Sequence, residues 1–185
     1  TGLPPIAAIA SLHDPDAVRR AARLTAKESR TLGVNWDFAP VCDVDLESEN
    51  PVLGTRTFGG DAHRVASSVA VWIKACQAEG VLACAKHFPG HGRTRADSHL
   101  ELPVVDASKK DLMDVDLAPF RAAIDAGVSS IMTAHVAYPS LDPSGEPATT
   151  SREMLQWLLR QLLLVDGSIW CVSLTMKICT ATITV

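Results

Sequence analysis

Several features that mark common functional classes are missing from this 185-residue sequence. It has no run of basic residues interleaved with aromatic ones, and its formal net charge is −4. The sequence therefore lacks the clustered positive charge that is typical of nucleic-acid binding. No stretch approaches the roughly 18 uninterrupted apolar residues of a membrane span, and the opening Thr-Gly-Leu-Pro-Pro is unlike a signal peptide. We therefore expect neither a nucleic-acid partner nor a membrane association.

Cysteine and glycine patterns exclude further classes. The five cysteines contain no Cys-x-x-Cys pair, and an odd count without a small-scaffold pattern favours a reducing compartment over a disulfide framework. We therefore expect a cytoplasmic protein. No glycine-rich phosphate loop and no cluster of metal ligands is evident, so we expect no cofactor and no bound metal.

What the sequence does contain is a repeated alternation of strand, long loop and helix. Helices are predicted over residues 15–32, 62–78, 109–126 and 151–164, from apolar residues at three- and four-residue spacings and from capping residues. Strands are predicted at residues 34–38, 81–85 and 128–132, and a last apolar segment surrounds Ile169-Trp170.

This order predicts an α/β fold with parallel strands and right-handed crossovers. The long loops follow the strands and carry the ionisable residues, which is typical of a (β/α) barrel. An open doubly wound sheet has the same alternation of strands and helices and remains an alternative. Since an eight-unit barrel needs about 250 residues, a chain of 185 residues is part of such a barrel or has a different fold.

Lys86 and His87 come directly after the predicted strand at 81–85, where a barrel places its pocket. Both side chains can donate hydrogen bonds to ligand hydroxyls, although pairing with a carboxylate and a purely structural role are equally compatible with the pair alone. The following Phe88-Pro89-Gly90-His91-Gly92 predicts a turn whose glycines permit close backbone approach or positive φ. The turn also argues against a helical histidine pair holding a metal.

Asp97-Ser98-His99 lies further along the same loop. In an extended segment residues two apart point to the same side, so the carboxylate and the imidazole would meet. Asp97 would then fix the tautomer of His99 and stabilise its charged form. An Asp-x-His of this kind also occurs by chance.

Together, the segment from Lys86 to Pro103 resembles the signature of the bacterial β-N-acetylglucosaminidases of glycoside hydrolase family 3. The similarity extends to 35–44 (Asn-Trp-Asp-Phe-Ala-Pro-Val-Cys-Asp-Val), to the Gly-Thr-Arg-Thr-Phe-Gly of 54–59, and to 131–139 and 147–151 in the same order. It covers roughly residues 1–166, which we take as a partial (β/α)8 TIM-type barrel domain followed by a divergent tail over 167–185.

The resemblance implies removal of terminal β-linked N-acetylglucosamine, a carbohydrate substrate, with retention through a glycosyl-enzyme intermediate. It assigns Arg56, Lys86 and His87 to binding hydroxyls of the sugar, and His99 to the general acid/base role with Asp97 orienting it. A neutral imidazole repels an anionic acceptor less than a carboxylate does, so phosphorolysis is an alternative within the family.

One position departs from the family's pattern. Anchored on Asp166-Gly167 and Leu174-Thr175-Met176, the position of the nucleophilic aspartate is occupied by Val172, which cannot attack an anomeric carbon. A non-catalytic sugar-binding remnant is therefore the main alternative, and an unrelated α/β metal or phosphate protein is a third. An incomplete barrel also leaves sheet edges unpaired, so we expect self-association to complete it.

Overall fold

The computed structural model describes residues 1–98, 100–162, 170–173 and 182–183. Its two longest helices each begin after a capping side chain that precedes an apolar pattern. Asp14 caps the second helix by accepting from the Asp16 amide at 2.8 Å, and Asp61 caps the third. The α-helices are α1 (Ile6–Ala10), α2 (Pro15–Thr31), α3 (Ala62–Ala78), α4 (Lys109–Asp111) and α5 (Ala118–Asp125).

The strands form one sheet in the order β1-β2-β3-β4-β5. They are β1 (Trp36–Asp37), β2 (Leu82–Phe88), β3 (Ser130–Thr133), β4 (Trp170–Ser173) and β5 (Thr182–Ile183). The first four are parallel and β5 is antiparallel to β4. The alternation of parallel strands with helices confirms the predicted α/β class.

The region predicted as one helix over 109–126 is interrupted. A π-helical turn, Leu112–Asp116, separates α4 from α5, and the Leu117 amide bonds to the Leu112 carbonyl at 2.9 Å. Pro119 explains the break, because proline has no N–H to continue the hydrogen-bond ladder of a preceding helix. A second π-helix covers Glu153–Leu162, close to the predicted helix at 151–164.

The strand predictions differ from the structure mainly at their ends. β1 is only two residues long, whereas β2 continues to Phe88, so Lys86 and His87 lie within the strand and not after it. Pairing with β3 explains this extension, since Lys86 pairs with Met132 and Phe88 with Thr133 across a register shift. The short antiparallel β5 was not predicted.

The main core lies between the sheet and the three longer α-helices. Its fully buried members include Val65, Val69 and Ile73 of α3, Phe120 of α5 and Phe88 of β2. Burying side chains of this size contributes roughly 1.5–3 kcal/mol each. This packing covers β2, the strand between β1 and β3 that carries Lys86 and His87.

The β1 edge of the sheet is more exposed than the strands next to it. Val34, Trp36 and Phe38 at this edge are between 36% and 44% exposed, and Leu82 at the start of β2 is 47% exposed. Among the described residues no helix is long and apolar enough to cross a membrane. The expected domain boundary at 166/167 lies outside the described residues.

Candidate active site

Asp43 is the centre of the polar cluster at the end of β2. Its side chain is fully buried, and its Oδ2 lies 2.7 Å from Nδ1 of His87. Oδ1 accepts from the backbone amides of His87 at 3.1 Å and His91 at 2.7 Å. This carboxylate therefore fixes both the ring of His87 and the backbone of the loop that follows.

The charge state of Asp43 follows from these contacts. Burial by itself would raise the pKa of Asp43, but the imidazole of His87 and the hydrogen bonds from His87 and His91 together hold that pKa below its usual value. Because an ionised carboxylate only accepts hydrogen bonds, the proton between the two groups lies on His87 Nδ1. His87 Nε2 is then left to meet a ligand.

Lys86 and Arg56 face a common cavity of about 290 Å³. Apolar side chains, including those of Phe38, Pro40 and Trp72, form much of its wall. Burial and, after it, the nearby charge of Arg56 lower the pKa of Lys86. Arg56 ends the 3₁₀ turn Gly54–Arg56, and its guanidinium donates to the Val52 carbonyl. Two cationic donors beside apolar walls can bind a ligand that presents several oxygens together with an apolar face.

The predicted turn over residues 88–92 is present, and its glycines are needed for the reasons expected. A Cβ at Gly92 would lie 1.7 Å from the Val44 carbonyl oxygen, so only glycine fits there. Gly90 has φ +139, and its carbonyl accepts from the hydroxyl of the fully buried Tyr138 at 2.8 Å. The turn is therefore fixed tightly against its surroundings.

A second buried carboxylate, Asp116, lies on the other side of this turn. Its Cβ is 3.1 Å from the position of a Cβ on Gly90, and Arg93 Nε contacts its two oxygens at 3.1 and 3.0 Å. Burial raises the pKa of Asp116 to about 6 although Arg93 opposes the shift. Asp116 and Arg93 therefore pack against the turn at Gly90.

The structure brings together part of the predicted site. Lys86 and Arg56 line one cavity, whereas His87, which follows Lys86 in β2, is not among the residues lining it, and its ring lies 5.9 Å from that of His91. Asp97 is described and His99 lies outside the described residues. The backbone at Asp97 is not extended as expected, because its carbonyl accepts from the amides of Leu100 and Glu101 at 2.9 and 3.1 Å, forming a turn.

Val172, which stands at the expected nucleophile position, lies in β4. It pairs with Met132 of β3 and with Thr182 of β5. The expected position therefore falls on a parallel strand two places from β2 in the same sheet.

Asp43 is a residue of the candidate site that the sequence motifs do not identify. The segment 35–44 is part of the resemblance to the family, but the motif alone gives its aspartate no role. A charged residue flanked by the apolar Cys42 and Val44 is the signal that was available, since such a residue is rarely buried unless it is paired. Its partner, however, is 44 residues away.

Comparison with known proteins adds an independent line of evidence. The profile described as "Glycosyl hydrolase family 3 N terminal domain" matches residues 1–184. A β-hexosaminidase from Thiobacillus denitrificans is 39% identical over 182 residues, which is 95% of this chain and 50% of that protein.

Solved structures agree with this similarity. A glycoside hydrolase family 3 β-N-acetylglucosaminidase from Paenibacillus sp. str. FPU-7 is 41% identical, with a TM-score of 0.89 over 93% of this chain and 33% of the other. A β-glucoside phosphorylase is 27% identical, with a TM-score of 0.91 over 96% of this chain and 33% of that one. The chain thus spans half or less of each of these proteins.

The parallel sheet and its helices are accordingly part of a (β/α)8 barrel, as predicted from the sequence. The family-wide match over residues 1–184 leads to one conclusion: the chain belongs to glycosyl hydrolase family 3 and represents its N-terminal domain.

Proposed function

We propose that this chain supplies the sugar-binding and acid/base half of a retaining glycosidase that removes terminal β-linked N-acetylglucosamine. The observation that carries the proposal is the arrangement on β2, where Lys86 lines a cavity together with Arg56 and the next residue, His87, is oriented by Asp43. Relatives of similar sequence bear the names β-hexosaminidase and β-N-acetylglucosaminidase, which support this substrate class.

Lys86 and Arg56 would bind the sugar through charged donors, and His87 would add a hydrogen bond of fixed direction. Lys86 and Arg56 offer several N–H donors to sugar hydroxyls, and the apolar wall of the cavity accommodates the C–H faces of the ring. Asp43 holds the His87 ring in one orientation and one tautomer. A hydroxyl can therefore donate to Nε2 of His87 while it accepts from a cation.

Asp97 and His99 complete the proposal as the acid/base pair. An imidazole titrates near neutral pH, so it can protonate the leaving oxygen and then take a proton from water in the second half of a retaining reaction. Positioned groups of this kind contribute about 10²–10⁴-fold in rate.

The test combines turnover of an aryl β-N-acetylglucosaminide with binding of N-acetylglucosamine by calorimetry. We expect His99→Ala to lower turnover at least about a hundredfold, and His87→Ala to weaken sugar binding. His63→Ala, which changes an exposed histidine on α3, is the matched control and should change neither. A chain that neither binds the sugar nor turns over the aryl glycoside contradicts the proposal.

A sugar-binding remnant is the second candidate, and the residue that favours it is Val172. A valine cannot form the covalent intermediate that a retaining mechanism needs. Binding without turnover, followed by gain of turnover in Val172→Asp, would support the remnant and the assignment of that position together. Inorganic phosphate in the same assay tests phosphorolysis, since a phosphorylase would release the sugar as its 1-phosphate.

Self-association and location are further parts of the proposal. The half-exposed Val34, Trp36 and Phe38 beside β1 suit contact with a second chain that completes the barrel. Sedimentation of a clean monomer with cooperative melting would contradict this. Cys42 and Cys76 are buried thiols, which supports a reducing, cytoplasmic location.

A further inference from the structure

His91 is a buried histidine that the proposed mechanism does not use. Its side chain is 2% exposed and lies between two hydroxyls of the same loop. Thr94 Oγ1 is 2.7 Å from Nδ1, and Ser98 Oγ is 3.0 Å from Nε2. Both ring nitrogens therefore have partners, and they connect the start of the loop to the segment that holds Asp97.

The neighbouring Asn50 determines the direction of these hydrogen bonds. Its Oδ1 accepts from the amides of Val52 and Leu53 at 2.9 and 3.0 Å, so its orientation is fixed. Its Nδ2 donates to the His91 carbonyl at 2.8 Å and lies 3.3 Å from Thr94 Oγ1. Asn50 is thus a donor toward Thr94.

The tautomer of His91 follows from this chain of donors. The Thr94 hydroxyl accepts from Asn50, and its single hydrogen has two acceptors within reach, Nδ1 of His91 at 2.7 Å and the His91 carbonyl at 3.2 Å. Because that carbonyl already accepts from Asn50 at 2.8 Å, we assign the hydrogen to the nearer Nδ1. Nε2 of His91 then carries the proton and donates to Ser98. Burial also lowers the pKa of His91, although the charge of Asp43 opposes the shift, which favours this neutral form.

Ser98 lies inside the turn formed by residues 97–101. Asp97 contributes the carbonyl that closes the turn, and it accepts from the amides of Leu100 and Glu101. A hydrogen bond to Ser98 therefore restrains the turn at the residue next to Asp97. The backbone of His91 is in turn fixed by Asp43, whose Oδ1 accepts from its amide at 2.7 Å.

We propose that His91 is a positioning residue whose Nε2–H holds Ser98, and with it the turn that carries Asp97, in register with the β2 strand. Asp43 thereby anchors both His87, through the imidazole, and the acid/base segment, through His91. The catalytic meaning of this inference rests on the proposed roles of Asp97 and His99, whereas the restraint on the turn does not.

Backbone hydrogen exchange of the full chain tests the restraint. Removing the acceptor with Ser98→Ala should speed exchange of the Leu100 and Glu101 amides about tenfold, the size expected for one lost hydrogen bond. Ser140→Ala, in another exposed turn, is the matched control and should leave those amides unchanged. Unchanged exchange in Ser98→Ala would overturn the proposal.

Substitutions at His91 separate the donor from the bulk of the ring. Glutamine places an N–H near the position of Nε2, so His91→Gln should keep slow exchange in the turn, whereas His91→Met should behave like Ser98→Ala. Imidazole ¹⁵N shifts of the unmodified chain should show a neutral His91 with the proton on Nε2 at about pH 7. A proton on Nδ1, or a doubly protonated ring at that pH, contradicts the assignment.

The same variants distinguish failure of the inference from failure of the proposed function. If Ser98→Ala loosens the turn but Asp97→Ala and His99→Ala leave turnover unchanged, the restraint exists and the acid/base assignment is wrong. If those two variants lose turnover but Ser98→Ala leaves the exchange unchanged, the acid/base assignment survives and the role of His91 is wrong.

Discussion

Two aspartates on either side of the 88–92 turn show how differently one buried carboxylate can behave from another. Asp43 and Asp116 are 0% and 1% exposed. Yet the pKa of Asp43 is held below its usual value, whereas burial raises that of Asp116 to about 6. Burial alone therefore does not decide the charge.

The difference lies in the donors that each carboxylate receives. Asp43 accepts from two backbone amides and from the His87 ring, and all three belong to the chain segment that it organises. Asp116 receives a single guanidinium nitrogen from Arg93, whose side chain is 27% exposed and still reaches solvent. The first carboxylate is an anchor for the site and the second is a clamp at its margin.

The largest expected effect on the free energy of unfolding comes from removing the Asp43 carboxylate. Asp43→Ala leaves two buried amides and the His87 ring without their acceptor, so we expect a loss of about 3–5 kcal/mol in the free energy of unfolding. Asp116→Ala should cost less than about 2 kcal/mol, because Arg93 can turn to water. Urea denaturation at pH 7 measures both, and equal losses would erase the distinction.

The second test uses pH to separate the two carboxylates. Because the pKa of Asp116 is about 6 in the folded chain against an ordinary 3.8, the folded state holds the extra proton between these values. Stability from this group therefore falls as pH rises from about 4 to 6. Asp116→Asn removes this dependence. As pH rises over that range, the free energy of unfolding of the variant should therefore increase by up to about 3 kcal/mol relative to that of the wild type.

Asp43 changes the free energy of unfolding with pH in the opposite direction, since its pKa is lowered on folding. Its contribution is present above the ordinary aspartate range and is lost as pH falls below that range. Denaturation of the wild type and of Asp116→Asn at pH 3 to 7 checks both signs. A constant difference between the two proteins across this range would show that Asp116 titrates normally.

The smallest effect is expected at Tyr138. Its hydroxyl donates to the Gly90 carbonyl in the turn between the two carboxylates. Tyr138→Phe removes one neutral hydrogen bond without a change of shape, so we expect a loss of about 1 kcal/mol at every pH. Thermal unfolding measures it, and a loss that varies with pH would instead couple this contact to Asp116.

Local patterns predicted the two longest α-helices correctly. The helix over 62–78 has the bounds expected from its apolar spacing and from Gly80. The helix at 109–126 was expected to be continuous but is interrupted just before α5, which begins one residue ahead of Pro119. Strand ends were less predictable, because pairing with β3 and not local composition extends β2 to Phe88.

The site was predictable in its residue types and not in its connections. Lys86, His87 and Arg56 were identified by motif, and Lys86 and Arg56 line one cavity. Asp43, by contrast, meets His87 across 44 residues of sequence, and the turn at Asp97 replaced an expected extended segment. Such contacts depend on how two parallel strands align, which a local pattern does not encode.

The sequence by itself determined the family, the alternation of strands and helices, and the glycines that allow the 88–92 turn to approach Val44. These follow from short-range sterics and from residue types at fixed spacing. Only the tertiary structure decided that Asp43 is an anchor and Asp116 a clamp. The two residues are of the same type, so the sequence does not distinguish their side chains. Their pKa values depend on the hydrogen-bond donors that the folded chain brings to each carboxylate inside the protein, where charges are screened little.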